Sequence, residues 1–506
     1  MNLGELVRRA AWQYGDRTAV VDGDREVSFR ELEDRANRFA HAMLGQGLGA
    51  GDRVAVLVGN RLEWFDVTFG LAKAGLVRSY LNPRSAAPEI TYQLADLDAT
   101  ALVVSDDLEP LVASAELGPV KQVFRTGADY EEMLSAASPE PPSVQPDVGD
   151  LAAIAYSSGT TGRPKGVMQT HGNWLAAITG VLVEIGLDES DVLLHAGPMS
   201  HGSGGFALPA LYRGSRQIIF RGFDPVELLD AVPTHGITTM FMVPTMIYML
   251  LEVLQQHPVD TSSLRTIFYG GAPIAAAKLE QCLDRFGPLF IQSYGLSEAP
   301  GGDTYLSQSD HTPGNPALAS AGRPALSVEM KIVGEDGSEL PPGQSGEIAV
   351  RGPHVMAGYW RRPEETAEIL GPDGWLRTND MGFMDEAGYL FIVDRKADMI
   401  VSGGFNVYPR EIEDVLLAHP AVAETVVVSA PDDKWGETVQ AVVRLIPGTS
   451  ADTAELEAFC RERLSGYKLP RAFDFVTDPL PKSPNGKVLR RLVREGYWAG
   501  RDRRVG

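Results

Sequence analysis

Residues Leu151 to Val167 read LAAIAYSSGTTGRPKGV. Leu151 to Tyr156 is an apolar run of strand length. It feeds Ser157, Ser158, Gly159, Thr160, Thr161 and Gly162, followed by Arg163-Pro164-Lys165-Gly166. A helical pattern opens near Asn173 and places Leu175, Ile178, Leu182 and Ile185 on one face. A strand running into a glycine-rich loop lets successive backbone N–H groups turn toward an anion, and glycine reaches the positive φ such a loop needs. The hydroxyls and the Lys165 ammonium add donors for phosphate oxygens. Gly159 and Lys165 do not fit the spacing G-x-x-x-x-G-K-[ST], so this is a phosphate loop of another frame. Glycine, serine and threonine alone would suit any surface loop; the full string from Tyr156 to Val167 is far more specific than its composition.

The same alternation extends outward. Val54–Val58, Ala101–Val104, Gln217–Phe220 and Thr266–Phe268 read as buried strands, and Phe29–Leu44 and Ala276–Phe286 carry helical spacing. This pattern predicts α/β layers with largely parallel sheets. After Gly322 the texture turns β-rich: Val328–Val333, Glu347–Val350 and Tyr389–Val393, separated by turns such as Asp336-Gly337 and Pro342-Gly343, predict a small β-barrel or sheet closing the large domain. A boundary is expected at Asp394, giving domains 1–393 and 394–506. The second is a compact α+β unit with helices Pro409–Ala418 and Thr453–Leu464 and strands Glu424–Val428 and Val439–Leu445. Ser138–Asp147 (SPEPPSVQPD) reads as a surface linker within the large domain.

With 506 residues the chain exceeds one ordinary core. It carries 45 basic against 67 acidic residues, a net of −22, which argues against nucleic acid as a partner. Leu489–Gly506 is locally basic (Arg490, Arg491, Arg494, Arg501, Arg503, Arg504) and reads as a solvated tail, with contact to an anionic cofactor as the sharper alternative. Two distant cysteines, Cys282 and Cys460, form neither a disulfide framework nor metal-ligand spacing, which fits a reducing cytoplasm. The N-terminus lacks the apolar stretch of a signal peptide. Ile237–Leu251, interrupted by Pro244, is too short to span a membrane and reads as buried core.

The string Tyr156–Val167 resembles the phosphate loop of the adenylate-forming superfamily, which holds the acyl- and aryl-CoA synthetases, the adenylation domains and firefly luciferase. Tyr294-Gly295-Leu296-Ser297-Glu298 resembles that family's YGxTE motif, and Gly374–Asp380 (GWLRTND) resembles GWxxTGD. Asp394-Arg395-Lys396 through Gly403–Pro409 (GGFNVYP) resembles its hinge motif, and Pro484-Asn485-Gly486-Lys487 its C-terminal lysine motif. The motifs occur in the family's order over nearly the whole chain, and the pattern resembles the 4-coumarate- and fatty-acid-CoA ligases.

The resemblance implies a large N-terminal domain of two α/β subdomains plus a small β-barrel, followed by a small mobile α+β domain. It implies ATP, Mg²⁺ and CoA as cofactors, a small-molecule acid as substrate, no membrane span, and a monomer or homodimer. The acid would be joined to the α-phosphorus of ATP, pyrophosphate expelled, and the acyl group passed to CoA. Lys487 would bridge carboxylate and α-phosphate, as an ammonium on a flexible stem can. Glu298, with Thr160, would hold Mg²⁺. Lys165 and Ser157–Gly162 would cradle phosphates. Gly271, Ala272, Pro273, Gln292, Ser293, Tyr294 and Ser297 would surround adenine, Tyr294 offering a flat face. Asp380 would accept ribose hydroxyls, with Ile392 and Arg395 beside it. Gly403 and Gly404 would line the pantetheine tunnel after a rotation about Asp394. His201, in PMSHGSGG, would line and gate the acyl pocket rather than move protons.

Some positions depart from the family pattern. Asn379 stands where Gly is common, Ala397 and Val401 where many relatives carry lysine, and Ser293 where relatives with large aromatic substrates often have Gly. A side chain at Ser293 narrows the pocket toward small or polar acids. Two alternatives follow. One is adenylation with another oxyacid or acceptor, as in nitrite-activating diazotases or carrier-protein loaders. The other is a silent nucleotide-binding homologue, against which the intact Lys165, Glu298, Asp380, Arg395 and Lys487 argue.

Overall fold

A computed structural model describes residues 2–156, 164–272, 274, 276–402, 405–432, 436–482 and 488–499. Helix Phe29–Gly45 shows how its elements are written. Ser28 accepts from the Glu31 N–H, and the Glu31 carboxylate reaches back to the Ser28 N–H, so two orphan donors of the first turn are satisfied. Phe29, Leu32, Ala36, Phe39, Ala40 and Met43 form the buried stripe. The helix packs on Glu63–Ala74, where the buried Lys73 ammonium meets Glu33 at 2.8 Å.

Two large sheets organise the first three-quarters of the described chain. In the seven-stranded one, Leu151–Tyr156 runs parallel to Val77–Tyr80 and antiparallel to Gly166–Thr170, which in turn pairs with Gly358–Tyr359. The nine-stranded sheet is parallel from Phe290–Tyr294 through Thr266–Gly270, Thr239–Met242, Val192–His195 and Arg216–Ile219 to Thr18–Asp22, with antiparallel strands at both edges. Helices cover these strands, which fits their nearly continuous apolar sequences. The stretch Ile237–Leu251 is buried core in two pieces, strand Thr239–Met242 and the start of helix Pro244–Gln256. No helix among the described residues is long and apolar enough to cross a membrane.

The β-rich segment forms a four-stranded antiparallel sheet of Glu329–Val333, Gly346–Arg351, Leu376–Met384 and Leu390–Arg395. Beyond it, Val422–Asp432 and Gly436–Leu445 pair as a long ribbon, flanked by helices Pro409–Leu417 and Thr453–Arg461. The second of these helices ends three residues before the expected Leu464. Cys282 lies in the core of the nine-stranded sheet and Cys460 in the core of the last unit, both free and fully buried.

Within the basic C-terminal stretch, of which Leu489–Ala499 is described, Arg490 is not solvated as a charge run suggests, while Arg491 is exposed. Arg490–Trp498 is a helix, and Arg490 is largely buried against Asp394 at 3.1 Å, Asp398 at 3.0 Å and Glu413 at 2.8 Å. Trp498 donates its indole N–H to the Ser429 carbonyl. Carboxylates 77 to 96 residues earlier in the chain consume the charge.

Candidate nucleotide site

The residues bounding the phosphate loop are tied down on both sides. Tyr156 donates to Asp96 Oδ2 at 2.7 Å, and Tyr92 donates to the Pro164 carbonyl at 3.0 Å. Arg362 holds the same Asp96 at 3.0 Å. The Trp360 N–H donates to the Gly166 carbonyl at 2.7 Å. The helix after the loop begins at His171, two residues ahead of the expected Asn173, because Thr170 caps it and accepts from the Asn173 N–H. The strands on either side of the loop and the helix that follows are therefore held in one frame.

Lys165 leaves this frame on the same side as Glu298. Its ammonium lies 2.6 Å from Glu365 and 5.0 Å from the centre of the Tyr359 ring. The Tyr359 hydroxyl donates to Glu298 Oε1 at 2.8 Å. Burial, and then the neighbouring Glu298 charge, push the Tyr359 phenol above its ordinary value, so it stays a donor. Glu298 is further fixed through its carbonyl, which accepts from the Met356 N–H. Next to it, the Ser297 carbonyl accepts from Gln169, whose own oxygen takes the Trp174 indole N–H.

Asp380 and Tyr294 meet across 86 residues: the phenol donates to Asp380 Oδ2 at 2.7 Å. Arg395 is the register partner of Asp380 and lies 3.4 Å from its other oxygen. Burial and the Asp380 charge raise the Tyr294 phenol. Asp380 is turned inward by a bulge. Between the pairs Ala349–Arg377 and Glu347–Met381 one residue faces three, and Asn379 takes φ +60°. That explains the departure at this position: the backbone is left-handed, where Gly is commonest and Asn is the side chain best tolerated. Ile392 pairs with Gly382 on the adjoining strand.

Gly271 follows strand Thr266–Gly270 at φ +77°, and Ala272 lies beside it. Gly270 and Ser293 are register partners. Gln292 is buried and its oxygen is 3.4 Å from the Tyr269 hydroxyl. Ser293 Oγ faces Gly302, which lies at φ +106°; a Cβ there would come within 3.1 Å of this oxygen and 2.8 Å of the Tyr305 hydroxyl. Tyr305, the register partner of Ser293, belongs to an aromatic group with Phe206, Phe241 and Phe268, in which Phe206 and Phe268 stack at 4.9 Å; Phe206, Phe268 and Tyr305 are buried core. His201 stands exposed at the head of helix Gly202–Tyr212, bonded through Nδ1 to Ser200 at 2.9 Å. A Cβ on Gly204, one turn on, would lie 1.9 Å from the Met199 carbonyl and 2.6 Å from Trp64, so the helix start is wedged in place.

Ser157–Gly162, Pro273, Gly403, Gly404 and Lys487 lie outside the described residues. The structure brings Lys165 and Glu298 to one group and Tyr294, Asp380 and Arg395 to another, joined by the short segment Tyr294–Glu298. Sequence reasoning missed Tyr359, Asp96, Tyr92 and Trp360. Gly358-Tyr359-Trp360 carries no chemistry-bearing pattern of its own, and its partners lie far away in the chain.

Mg²⁺ fits this donor set. Mg²⁺ is commonly held by one or two carboxylates with substrate phosphates and waters completing an octahedron, rather than by an all-protein cage. Among the described residues no group of three or more metal-ligating side chains occurs. Glu298 offers one carboxylate with Oε1 committed to Tyr359.

Comparison with known proteins agrees with this geometry. Residues 7–360 match the family described as AMP-binding enzyme, and residues 411–487 match the AMP-binding enzyme C-terminal domain. The chain is 39% identical over 497 residues to a feruloyl-CoA synthase of an Amycolatopsis species, covering 98% of this chain and 99% of that one. It is 38% identical to the fatty acid–[acyl-carrier-protein] ligase ScoC of Streptomyces coeruleorubidus, covering 96% and 95%. ATP-bound MatB from Rhodopseudomonas palustris superposes with a TM-score of 0.89 at 31% identity, over 98% of this chain and 99% of the other. With both family matches and full-length relatives in hand, this chain belongs to the AMP-binding enzyme family and is an ATP-dependent, AMP-forming ligase of the acyl-CoA synthetase type.

Proposed function

We propose that the protein adenylates a compact aryl or short acyl carboxylic acid and transfers the acyl group to the thiol of CoA. The observation that carries the reading is that Lys165 and Glu298 meet at Tyr359, while Tyr294, Asp380 and Arg395 meet where strand Phe290–Tyr294 ends, just ahead of Glu298 in the chain. Ligands of open α/β sheets bind outside the carboxyl ends of the strands.

In the first half-reaction a carboxylate oxygen bonds to the α-phosphorus and the bond to the β-phosphate oxygen breaks. Charge grows on the phosphate oxygens, so catalysis is positioning plus positive electrostatics. Lys165 faces the leaving pyrophosphate. Asp380 takes the ribose hydroxyls, since a carboxylate accepts at about four lone-pair sites. Tyr294 presents a flat face to adenine. Glu298 holds Mg²⁺, which supplies charge neutralisation when bound. Lys487 bridges carboxylate and α-phosphate. In the second half-reaction the thiol sulfur attacks the acyl carbon, the bond to the adenylate oxygen breaks, and AMP leaves. Gly403 and Gly404 line the thiol's path and His201 gates it.

The division of labour places residues 1–393 in one domain and 394–506 in a second that turns about Asp394. The separate family matches support it, as does the change from the four-stranded sheet to the later ribbon. The substrate class rests on Ser293, whose side chain narrows the space a large aromatic acid would need. The enzyme works in the cytoplasm, where its two buried thiols need no partner, and as a monomer or homodimer.

A pyrophosphate-release screen over carboxylic acids and nitrite, with and without CoA, tests the reading. Release that requires an aryl or short acid, with AMP and thioester formed only when CoA is present, is the expected result. Transfer to a phosphopantetheine-bearing carrier protein in preference to CoA would move the acceptor to the second reading, which the 38% relative acting on a carrier protein favours. Lys487→Ala should abolish acid-dependent pyrophosphate exchange yet spare thioester formation from preformed acyl-adenylate. Equal loss of both steps would overturn the two-faced role of the second domain.

A further inference from the structure

We infer that Tyr359 is a positioning residue that sets the Glu298 carboxylate for the metal and seats the Lys165 ammonium for the phosphates, so that both act on the triphosphate as one unit. This rests on the reading of Glu298 and Lys165 given above. Three features carry it. The hydroxyl donates to Glu298 Oε1 at 2.8 Å, which fixes the carboxylate plane and leaves Oε2 as an acceptor. The ring faces the Lys165 ammonium at 5.0 Å, within cation–π range. The side chain is 7% exposed and its backbone is held on both sides.

That backbone support is unusually complete for a two-residue strand. Tyr359 pairs with Val167 and Gly358 with Met168, on the strand that leaves the phosphate loop. The Met356 N–H donates to the Glu298 carbonyl, the Trp360 N–H to the Gly166 carbonyl, and the Tyr359 N–H to Thr366 Oγ1 at 2.9 Å. One short strap therefore touches Gly166, the residue after Lys165, the rest of the strand Gly166–Thr170, and Glu298. Mg²⁺ demands near-ideal geometry of its ligands, and groups that orient a ligand from behind commonly change metal affinity 10–100-fold. Lys165 has a competing anion in Glu365, 2.6 Å away, so the ring supplies a seat that does not depend on that carboxylate.

The test is ATP binding by calorimetry on the full chain, once with Mg²⁺ and once with EDTA, for wild type, Tyr359→Phe, Tyr359→Leu and Glu298→Gln. Tyr359→Phe keeps the ring and loses the hydroxyl. It should weaken binding about tenfold with Mg²⁺ and less than about twofold with EDTA. Tyr359→Leu should lose affinity in both conditions. Wild-type Mg²⁺ dependence in Tyr359→Phe overturns the carboxylate half of the inference; equal EDTA affinities of the Phe and Leu variants overturn the lysine half. Glu298→Gln separates the two levels. If it too retains the Mg²⁺ dependence, the metal reading of Glu298 has failed; if it loses it while Tyr359→Phe does not, only the role of Tyr359 has failed. Should Tyr359→Leu not fold, the Phe variant alone decides the carboxylate half, and Tyr359→Met, which fills the space without a ring face, replaces Leu in the EDTA comparison that decides the other.

Discussion

Around Arg490 one guanidinium meets Asp394, Asp398 and Glu413, and Asp394 also accepts from the Arg410 N–H. Around Glu298 the same kinds of residue are arranged with acceptor capacity left over: Tyr359 takes one carboxylate oxygen, and Lys165 shares itself between a ring and a carboxylate. The first cluster pairs charge with charge inside the chain: both terminal nitrogens of Arg490 meet carboxylates, and only its Nε is left without a partner. The second is open toward a ligand. The first is also the more buried: its side chains are 4–17% exposed, against 30% and 32% for Lys165 and Glu365, which suits a cluster that holds the fold.

The contrast can be broken most forcefully at Arg490. Arg490→Ala leaves Asp394 and Glu413 buried without their cation, and such a loss costs about 3–5 kcal/mol. Urea unfolding should show it, with the KM for ATP little changed in the folded fraction. A loss below about 1 kcal/mol would mean the cluster is not a structural unit. Asp380→Ala should behave in the opposite way. Losing hydrogen bonds to a charged acceptor is worth about 1.5–3 kcal/mol, and we expect it in kcat/KM for ATP rather than in unfolding. An equal drop in both would place Asp380 with the structural group.

A third kind of buried group stays uncharged. His195 bonds Ser203 and Gln217 at 2.8 Å each, and His171 accepts from the Leu3 N–H. Burial lowers both imidazoles, and His311, to about 4. Their folded values lie below the ordinary ~6.5 of the unfolded chain, so between these limits the unfolded chain binds more protons. Stability is therefore full above ~6.5 and falls as the pH drops toward 4, by at most about 1.4 kcal/mol per pH unit for each histidine. Thermal unfolding from pH 7 to 4.5 checks the slope, and His195→Gln should flatten it. The smallest effect is expected at the bulge that aims Asp380. Asn379→Gly should be near neutral, while Asn379→Val, β-branched at φ +60°, should cost about 1–2 kcal/mol. A neutral valine would show that the bulge does not need a left-handed residue.

Much of this was legible from residue order. The strand Leu151–Tyr156 and helix Ala276–Phe286 fall where their apolar periodicity puts them, because local pattern and burial agree there. Asp380 and Glu298 were found through motifs. Asn379 was noticed as a departure, but only the backbone angle explains it. What pattern could not supply was the partner. Tyr359 finds Glu298 61 positions away, Trp360 donates to the Asp96 carbonyl 264 positions away, and Arg490 finds Asp394 96 positions away. A charge run read alone says solvent; for Arg490, folded against three carboxylates, that reading fails.

Cys282 and Cys460 have a practical side. Each is fully buried, and burial pushes the thiols up to about 12 and about 11, so neither presents a nucleophilic thiolate at neutral pH. New cysteines placed at exposed sites on either side of Asp394, Thr312→Cys and Glu462→Cys for instance, would take up maleimide dyes against a silent native background. The wild-type chain thus comes ready for a fluorescence ruler, on which any turning between the two half-reactions could be watched one molecule at a time.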